Sequence, residues 1–373
     1  MNLLKEGITK QAVIKTAQTR KLTVDGLTKA YPVYKVRLDW LFYNDQNDRI
    51  ATWISQYKAQ HDGKAPNSSD REAYNAIIEQ FIVESNPEAI RKTQTNIELV
   101  DQREAGVVLA DGRIIDGNRR FTCLRRLAAK NDRFGYFETV ILDRNIEHSA
   151  KQIKMLELSI QHGEESKVDY NPIDRLVGIY NDIISTRLLS FEEYARSTNE
   201  SETEVKKRVE VAKLMVEFLE FINAPEQFYI ARDLQLYYPL EELLKLIKKC
   251  RTEDEIEDMK IAVFTNVLMQ TAGDMTRFVR HIKAVVGTEY QEEFFEEQKE
   301  IAAKVVDTLP EQGRVNTAVI REVVRSNDEV VQELERSMEK TLTKVKKNET
   351  KTDPFSWQKK QLPSLRALIP TFF

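Results

Sequence analysis

The chain has 373 residues, 41% of them hydrophobic and 31% charged, with 12 glycines and a formal net charge of -4. That length is too great for one small domain, and the composition excludes wholesale disorder and favours a largely helical protein with two or three cores. The slight negative charge excludes a whole-molecule field that draws in nucleic acid, so any such contact has to come from local basic patches.

Two short strand signals open the chain. Residues 31–38, "YPVYKVRL", alternate as a strand does, and "GVVLADGRIID" holds two β-branched runs around Asp111-Gly112, a pair suited to a type I′ hairpin. Between them, "SSDREAYNAIIEQFIVE" starts with the capping pair Ser69 and Glu72 and repeats apolar residues at Tyr74, Ile77, Ile78, Phe81 and Ile82, which predicts a helix inside an insertion over about 50–95. A third strand is expected at 139–143. From about 146 the pattern becomes helical and remains so. Ile153, Leu156 and Ile160 mark one face of a helix ended by Gly163, and Pro172 suits the first turn of the next. Val331, Leu334, Met338 and Val345 recur as in an amphipathic helix, with coiled-coil pairing as the alternative, and the apolar end "LPSLRALIPTFF" is suited to docking.

Cys123 and Cys250 are too far apart in sequence to suggest a disulfide framework or a metal cluster, and no run of about 18 uncharged apolar residues or N-terminal signal-type run is present. A cytoplasmic setting is expected. Neither G-x-x-x-x-G-K-[ST] nor G-x-G-x-x-G occurs, and the four histidines, His61, His148, His162 and His281, form no metal-binding pair.

In "DGNRRFTCLRRLAA", Phe121, Leu124 and Ala128 recur at helical spacing, so a helix starts near Asn118 and carries Arg119 and Arg120 in its first turn. Cations there oppose the helix dipole unless an anion sits at the same end. Gly117 permits a sharp turn and close approach, free amides point outward, and the arginines add planar donors, which together compose a phosphate cradle. Pairing of Arg119 and Arg120 with Asp116 and Glu104 is the alternative, with Arg125 and Arg126 on a solvated face. Asp116 is placed either to orient the arginines or to hold a metal.

The segment resembles the G-x-x-R-x-x-A box of the ParB/sulfiredoxin fold, with Gly117 and Arg120 matching and Cys123 in the small-residue place. "SIQHGEESKVDYNPIDRLVGIYNDI" is similar to the later ParB stretch, where an E-N-x-Q-R box precedes a D-L-N-P-I-E helix start; Gln161 and the run Asp169 to Asp174 match. "VYKVRLDWLFYNDQNDRI" is similar to the first ParB box, with Arg49 at its terminal arginine. The resemblance covers roughly 31–220. It implies an α+β fold with a small mixed-sheet domain over 1–148 and a helix-turn-helix-like region over 149–222; the helical remainder over 223–373 is not covered by it and is expected to serve assembly. It also implies a nucleoside triphosphate, CTP or ATP, with Mg2+ possible, held by Gly117, Asn118, Arg119, Arg120, Arg49 and Asp116, with Arg120 as the main clamp and Gln161 on phosphate or metal-bound water. Such a ligand would switch the association of protomers, in a homodimer or larger homo-oligomer, on DNA. Leu158, Ser159 and His162 depart from E-N-x-Q-R, and Glu157 reaches the site only by a register shift, which puts hydrolysis in doubt. A hydrolase, in which Gln161 and Glu157 would be catalytic, a nuclease or a small-molecule kinase on the same fold is the alternative, and a non-nucleotide interaction module a third. The sulfiredoxin branch is disfavoured, because its cysteine directly follows the glycine and Asn118 stands there.

Residues 188–215 contain two capping pairs, Ser190 with Glu193 and Ser201 with Glu204, which predicts two helices with a short turn, in the order of the ParB helix-turn-helix. Lys206, Lys207 and Arg208 are the candidate DNA contacts, with Glu202 and Glu204 opposing them.

Overall fold

In the computed structural model, which describes residues 2–144, 146–163 and 171–352, the protein is mixed α+β: a five-stranded sheet lies in the N-terminal region and helices follow. The chain divides into two compact units. The first runs through Lys213 and regains Glu226–Arg232; the second holds Leu214–Pro225 and the chain from Asp233 on.

The first unit begins with β1 (Val13–Val24) and β2 (Leu27–Arg37), joined at Asp25-Gly26, both at positive φ as a two-residue hairpin turn requires. Three helices follow, α1 (Ala51–Gln60), α2 (Arg71–Ser85) and α3 (Pro87–Val100), then β3 (Gly106–Leu109), β4 (Ile114–Asp116), α4 (Asn118–Ala128) and β5 (Tyr136–Leu142). The strand order is β1-β2-β5-β3-β4; β5 runs antiparallel to β2, with Val36 opposite Phe137, and parallel to β3, with Val108 opposite Ile141.

Helices cover both faces of the sheet. On one, Tyr74, Ile78, Phe81, Ile90 and Ile97 of α2 and α3 pack with Phe121 and Leu124 of α4 against Val108, Ile114 and Phe137. The stretch expected as an insertion is therefore a layer of the core. On the other face, α5 (Ile146–Gly163) lays Ile153, Leu156 and Ile160 against Val107, Leu109 and Val140. That stripe is as expected, but it binds α5 to the sheet, so the compact units do not divide near residue 148. The unit continues with α6 (Pro172–Ile179), whose first turn holds Pro172, then α7 (Phe191–Thr198) and α8 (Glu202–Phe221), whose last residues belong to the second unit.

Three local details differ from expectation. The cap of α2 is Asp70, whose carboxylate accepts from the Ala73 amide, one residue past Ser69. The 111–112 turn is not type I′: only Gly112 has positive φ, and its amide donates to the Leu109 carbonyl. The Asp111 carboxylate accepts from the Arg113 amide and holds the aspartate out of the left-handed region. Arg125 is partly buried and paired rather than solvated, since it bonds Glu79 and Glu72 while crossing the Phe121 ring.

After α9 (Phe228–Asp233), the second unit packs α10 (Tyr237–Ile247), α11 (Glu253–Met269), α12 (Met275–Ile282), α13 (Gln291–Val306), α14 (Thr317–Ser326) and α15 (Asp328–Thr352). Leu334, Met338, Thr341 and Val345 are buried, and α15 packs on α13 and α11, so its apolar stripe is covered within the same unit. A buried polar chain crosses the three helices: Asn266 donates to Gln298 at 2.7 Å, and Gln298 donates to Ser337 at 3.0 Å. Each amide in a dry core needs its partner, which makes the packing register specific. No helix among the described residues is long and apolar enough to cross a membrane. The apolar segment at 362–373 lies outside the described residues.

Candidate functional site

The site grows from the turn between β4 and α4. Gly117 sits at φ 101°, and a Cβ there would lie 2.8 Å from the Phe137 ring and 3.2 Å from the Arg120 guanidinium, so both conformation and space require glycine. No side chain caps α4, whose first turn carries Asn118, Arg119 and Arg120. Beside this turn opens a cleft of about 490 Å³, walled by the Asn47–Ile50 turn, α3, the 102–104 loop and Gln161 of α5.

The two arginines have different surroundings. Arg120 donates to Glu104 at 2.7 Å and to Asp116 at 3.2 Å, and Asp116 also accepts from Arg20 at 2.9 Å. Asp116 therefore orients guanidinium groups. Arg119, among the described residues, has no carboxylate at salt-bridge distance and no side-chain hydrogen bond. Burial, and after it the nearby charge of Arg49, pulls its guanidinium below the ordinary arginine range. A cation so placed is destabilised by its surroundings and would be relieved by an anion. Asn118 adds a buried carbonyl oxygen, Oδ1, with no hydrogen-bond partner.

Arg49, Gln161 and the Gly117–Arg120 turn, separated widely in sequence, thus meet at one cleft. Lys92, Thr93 and Asn96 of α3 and Arg103 also line it, and sequence reasoning missed them. For the three on α3 a signal was available: Lys92, Thr93 and Asn96 form a polar strip on a helix that buries Ile90 and Ile97.

Glu157 lies beneath the cleft. Gln161 donates to it at 2.9 Å, and it belongs to a buried cluster around Lys154, which donates to Asp48 at 2.6 Å and stands 3.5 Å from Asp182. Burial pushes the Glu157 carboxyl up to about 8 and that of Asp182 up to about 7, against the opposing pull of Lys154. Burial also acts against the Lys154 ammonium, but Asp48, Glu157 and Asp182 together outweigh it and keep Lys154 charged. The cluster is wedged tightly, since a Cβ on Gly178 of α6 would come within 2.5 Å of the Asp48 carboxylate. A lysine and a glutamate three apart beside the apolar stripe of α5 were the sequence sign of it. At the family's glutamate position, Leu158 is wholly buried, and the side chain of His162 lies outside the described residues, as do Asp169 and Tyr170.

These carboxylates do not compose a magnesium site. Asp116 is shared by two guanidinium groups and Glu157 faces the lysine cluster, and no group of three or more His, Cys, Asp or Glu side chains suited to a metal occurs among the described residues. Cys123 is buried, and burial pushes its thiol up to about 12, far from a reactive thiolate.

The two helices expected at 188–215 are present. Ser190 and Glu193 form a reciprocal capping box, Asn199 ends α7 in the left-handed region, and Ser201 accepts from the Glu204 amide. The basic trio is engaged, however. Arg208 grips Glu200 through both terminal nitrogens, and Glu200 also takes Arg175. Lys206 pairs with Glu202 at 2.9 Å and lies over the Phe191 ring, and Lys207 has an interaction of its own.

The sequence matches no protein-family model and no curated protein.

Proposed function

We propose that the first unit binds the phosphates of a nucleoside triphosphate in the cleft at Gly117–Arg120 and uses that binding as a conformational or assembly switch, in the manner of ParB-like proteins. The observation that carries this reading is Arg119: a partly buried guanidinium beside Arg49, without a carboxylate, at the uncapped start of a helix in the wall of a 490 Å³ cleft. The helix dipole and first-turn amides favour an anion at that point, and the two arginines supply charge-assisted donors. Asn118 Oδ1 offers an acceptor to a donor group on the ligand. Arg120 joins only when Glu104 gives way. Hydrolysis would call on Glu157, whose carboxyl is held in the Lys154 cluster, so binding is the activity the geometry favours.

Thermal unfolding with CTP or ATP, with and without magnesium, tests the reading. At a ligand concentration of about 100 Kd the protein is expected to gain about 2.7 kcal/mol, read as a rise in Tm. Arg119→Ala removes that gain while leaving the ligand-free Tm unchanged or slightly higher, because it relieves repulsion with Arg49. No stabilisation by any nucleoside triphosphate, or an undiminished rise in Arg119→Ala, defeats it.

A further inference from the structure

The cations of α8 lie beside carboxylates of the same helix and its neighbours, whereas one surface of the second unit gathers cations on segments free of acidic residues. Residues 243–252 and 275–288 contain no Asp or Glu, although 60 of the 373 residues are acidic. Both segments belong to helices that pack together, α10 with its following turn and α12. The contact between them is marked by one carboxylate: Glu242 accepts Lys245 at 3.1 Å and Arg280 at 2.9 Å. From that pair the charge spreads one turn in each direction. Lys248 and Lys249 stand one turn past Lys245, and Arg277 and Lys283 flank Arg280.

All of these cations are exposed, and among the described residues Lys248, Lys249, Arg277 and Lys283 have no ion pair. α12 buries Phe278, Val279 and Ile282 and turns the cationic side outward. Holding so many like charges together opposes stability, and nothing in the packing of either helix requires them. A polyanion on this surface would remove the repulsion.

We infer that the α10–α12 surface binds the phosphate backbone of nucleic acid, without reading base sequence. The side chains available are those that contact phosphates; the carboxylate among them, Glu242, is held by Lys245 and Arg280, and no amide side chain is set beside them to read base edges. An acidic protein partner fits less well, since protein interfaces centre on apolar anchors and are poor in lysine. The exposed large apolar side chain of these helices, Tyr238, lies two turns before Lys245. The inference does not depend on the nucleotide cleft.

The test uses the full chain and a fluorescein-labelled duplex DNA, with anisotropy followed across a salt series. Binding is expected to be alike for unrelated sequences, with log K falling against log salt at a slope of about -3 or steeper. The fourfold variant Lys248→Gln, Lys249→Gln, Arg277→Gln and Lys283→Gln should weaken binding by roughly tenfold or more and flatten the slope by about three. Lys206→Gln with Lys207→Gln, on α8, should leave both unchanged. Circular dichroism of the fourfold variant should match the parent, since these side chains are exposed, and Lys248→Glu with Arg277→Glu gives an independent reading if it does not. DNA affinity and slope unaltered by both sets overturn the inference, as does the absence of DNA binding together with capture of poly-glutamate by the same four residues.

Discussion

Two helices carry basic runs near their starts, α4 with Arg119 and Arg120 in its first turn and α8 with Lys206–Arg208 one turn in, after Glu202 and Glu204, and their surroundings differ. On α8 Lys206 pairs with Glu202 and, more firmly, Arg208 shares Glu200 with Arg175. On α4 only the second arginine is so paired: Arg120 holds Glu104 and Asp116 while Arg119 faces the cleft beside Arg49. The lesson concerns availability. A cation whose charge the fold already balances is part of the structure, whereas one left unbalanced in a cleft is a place for a ligand. Lys154 is the extreme of the first kind, enclosed by Asp48, Glu157 and Asp182.

Substitutions break that contrast in order of expected size. Lys154→Met leaves three buried acids without their cation and should cost about 3–5 kcal/mol, read from the urea midpoint; a loss below 1 kcal/mol would show that Lys154 is dispensable to the fold. The same cluster predicts a pH dependence. Burial raises the folded-state values of Glu157 to about 8 and of Asp182 to about 7, and outside the cluster it raises that of Asp174 on α6, which accepts from the Thr52 amide, to about 7, all above those of the unfolded chain. The unfolded state therefore releases protons first, so the stability these groups contribute is full below about pH 4, where the unfolded carboxyls are protonated too, and is lost progressively as pH rises from there through 7 and 8. The Tm should fall by several degrees between about pH 6 and pH 9, and the fall should be smaller in Glu157→Gln. An identical decline in the variant would assign the effect to other groups.

Smaller effects sharpen the difference between the two helices. Arg208→Ala leaves Glu200 with Arg175 alone and should destabilise by about 1–2 kcal/mol in denaturant melts, with DNA affinity unaffected. A drop in DNA affinity without loss of stability would return α8 to the binding surface. Glu104→Ala is the mildest. Its carboxylate is 69% exposed and occupies Arg120 as an internal anion, so removing it should change the unfolding free energy by no more than about 0.5 kcal/mol and tighten nucleotide binding a few-fold, measured by calorimetry. Weaker binding would mean that Glu104 serves the ligand directly.

Much of the local structure was legible from residue order. The stripe Ile153, Leu156, Ile160 and the Ser190–Glu193 box appear as read, while the hairpin at Asp25-Gly26 was passed over although it carries the same dipeptide as 111–112. The packing of residues 50–95 was less visible. The polar lead-in to α2 suggested an insertion, and only the fold shows that Ile78, Phe81 and Ile97 find their partners on the sheet and that α3 supplies a wall of the cleft. For the site, Gly117 and the arginines behind it stood out because glycine and clustered cations are visible one residue at a time. Lys92, Asn96 and the Lys154 cluster did not, because their company comes from other elements.

By itself, the sequence determined the periodicities, caps and turns, since these depend on neighbours within a few residues and on backbone geometry that every fold shares. Only the tertiary structure decided which charges are balanced. Coulombic pairing acts between atoms a few ångströms apart wherever they lie in the chain, so Glu104 and Asp116 settle the state of Arg120, Glu200 that of Arg208, and Arg49 that of Arg119.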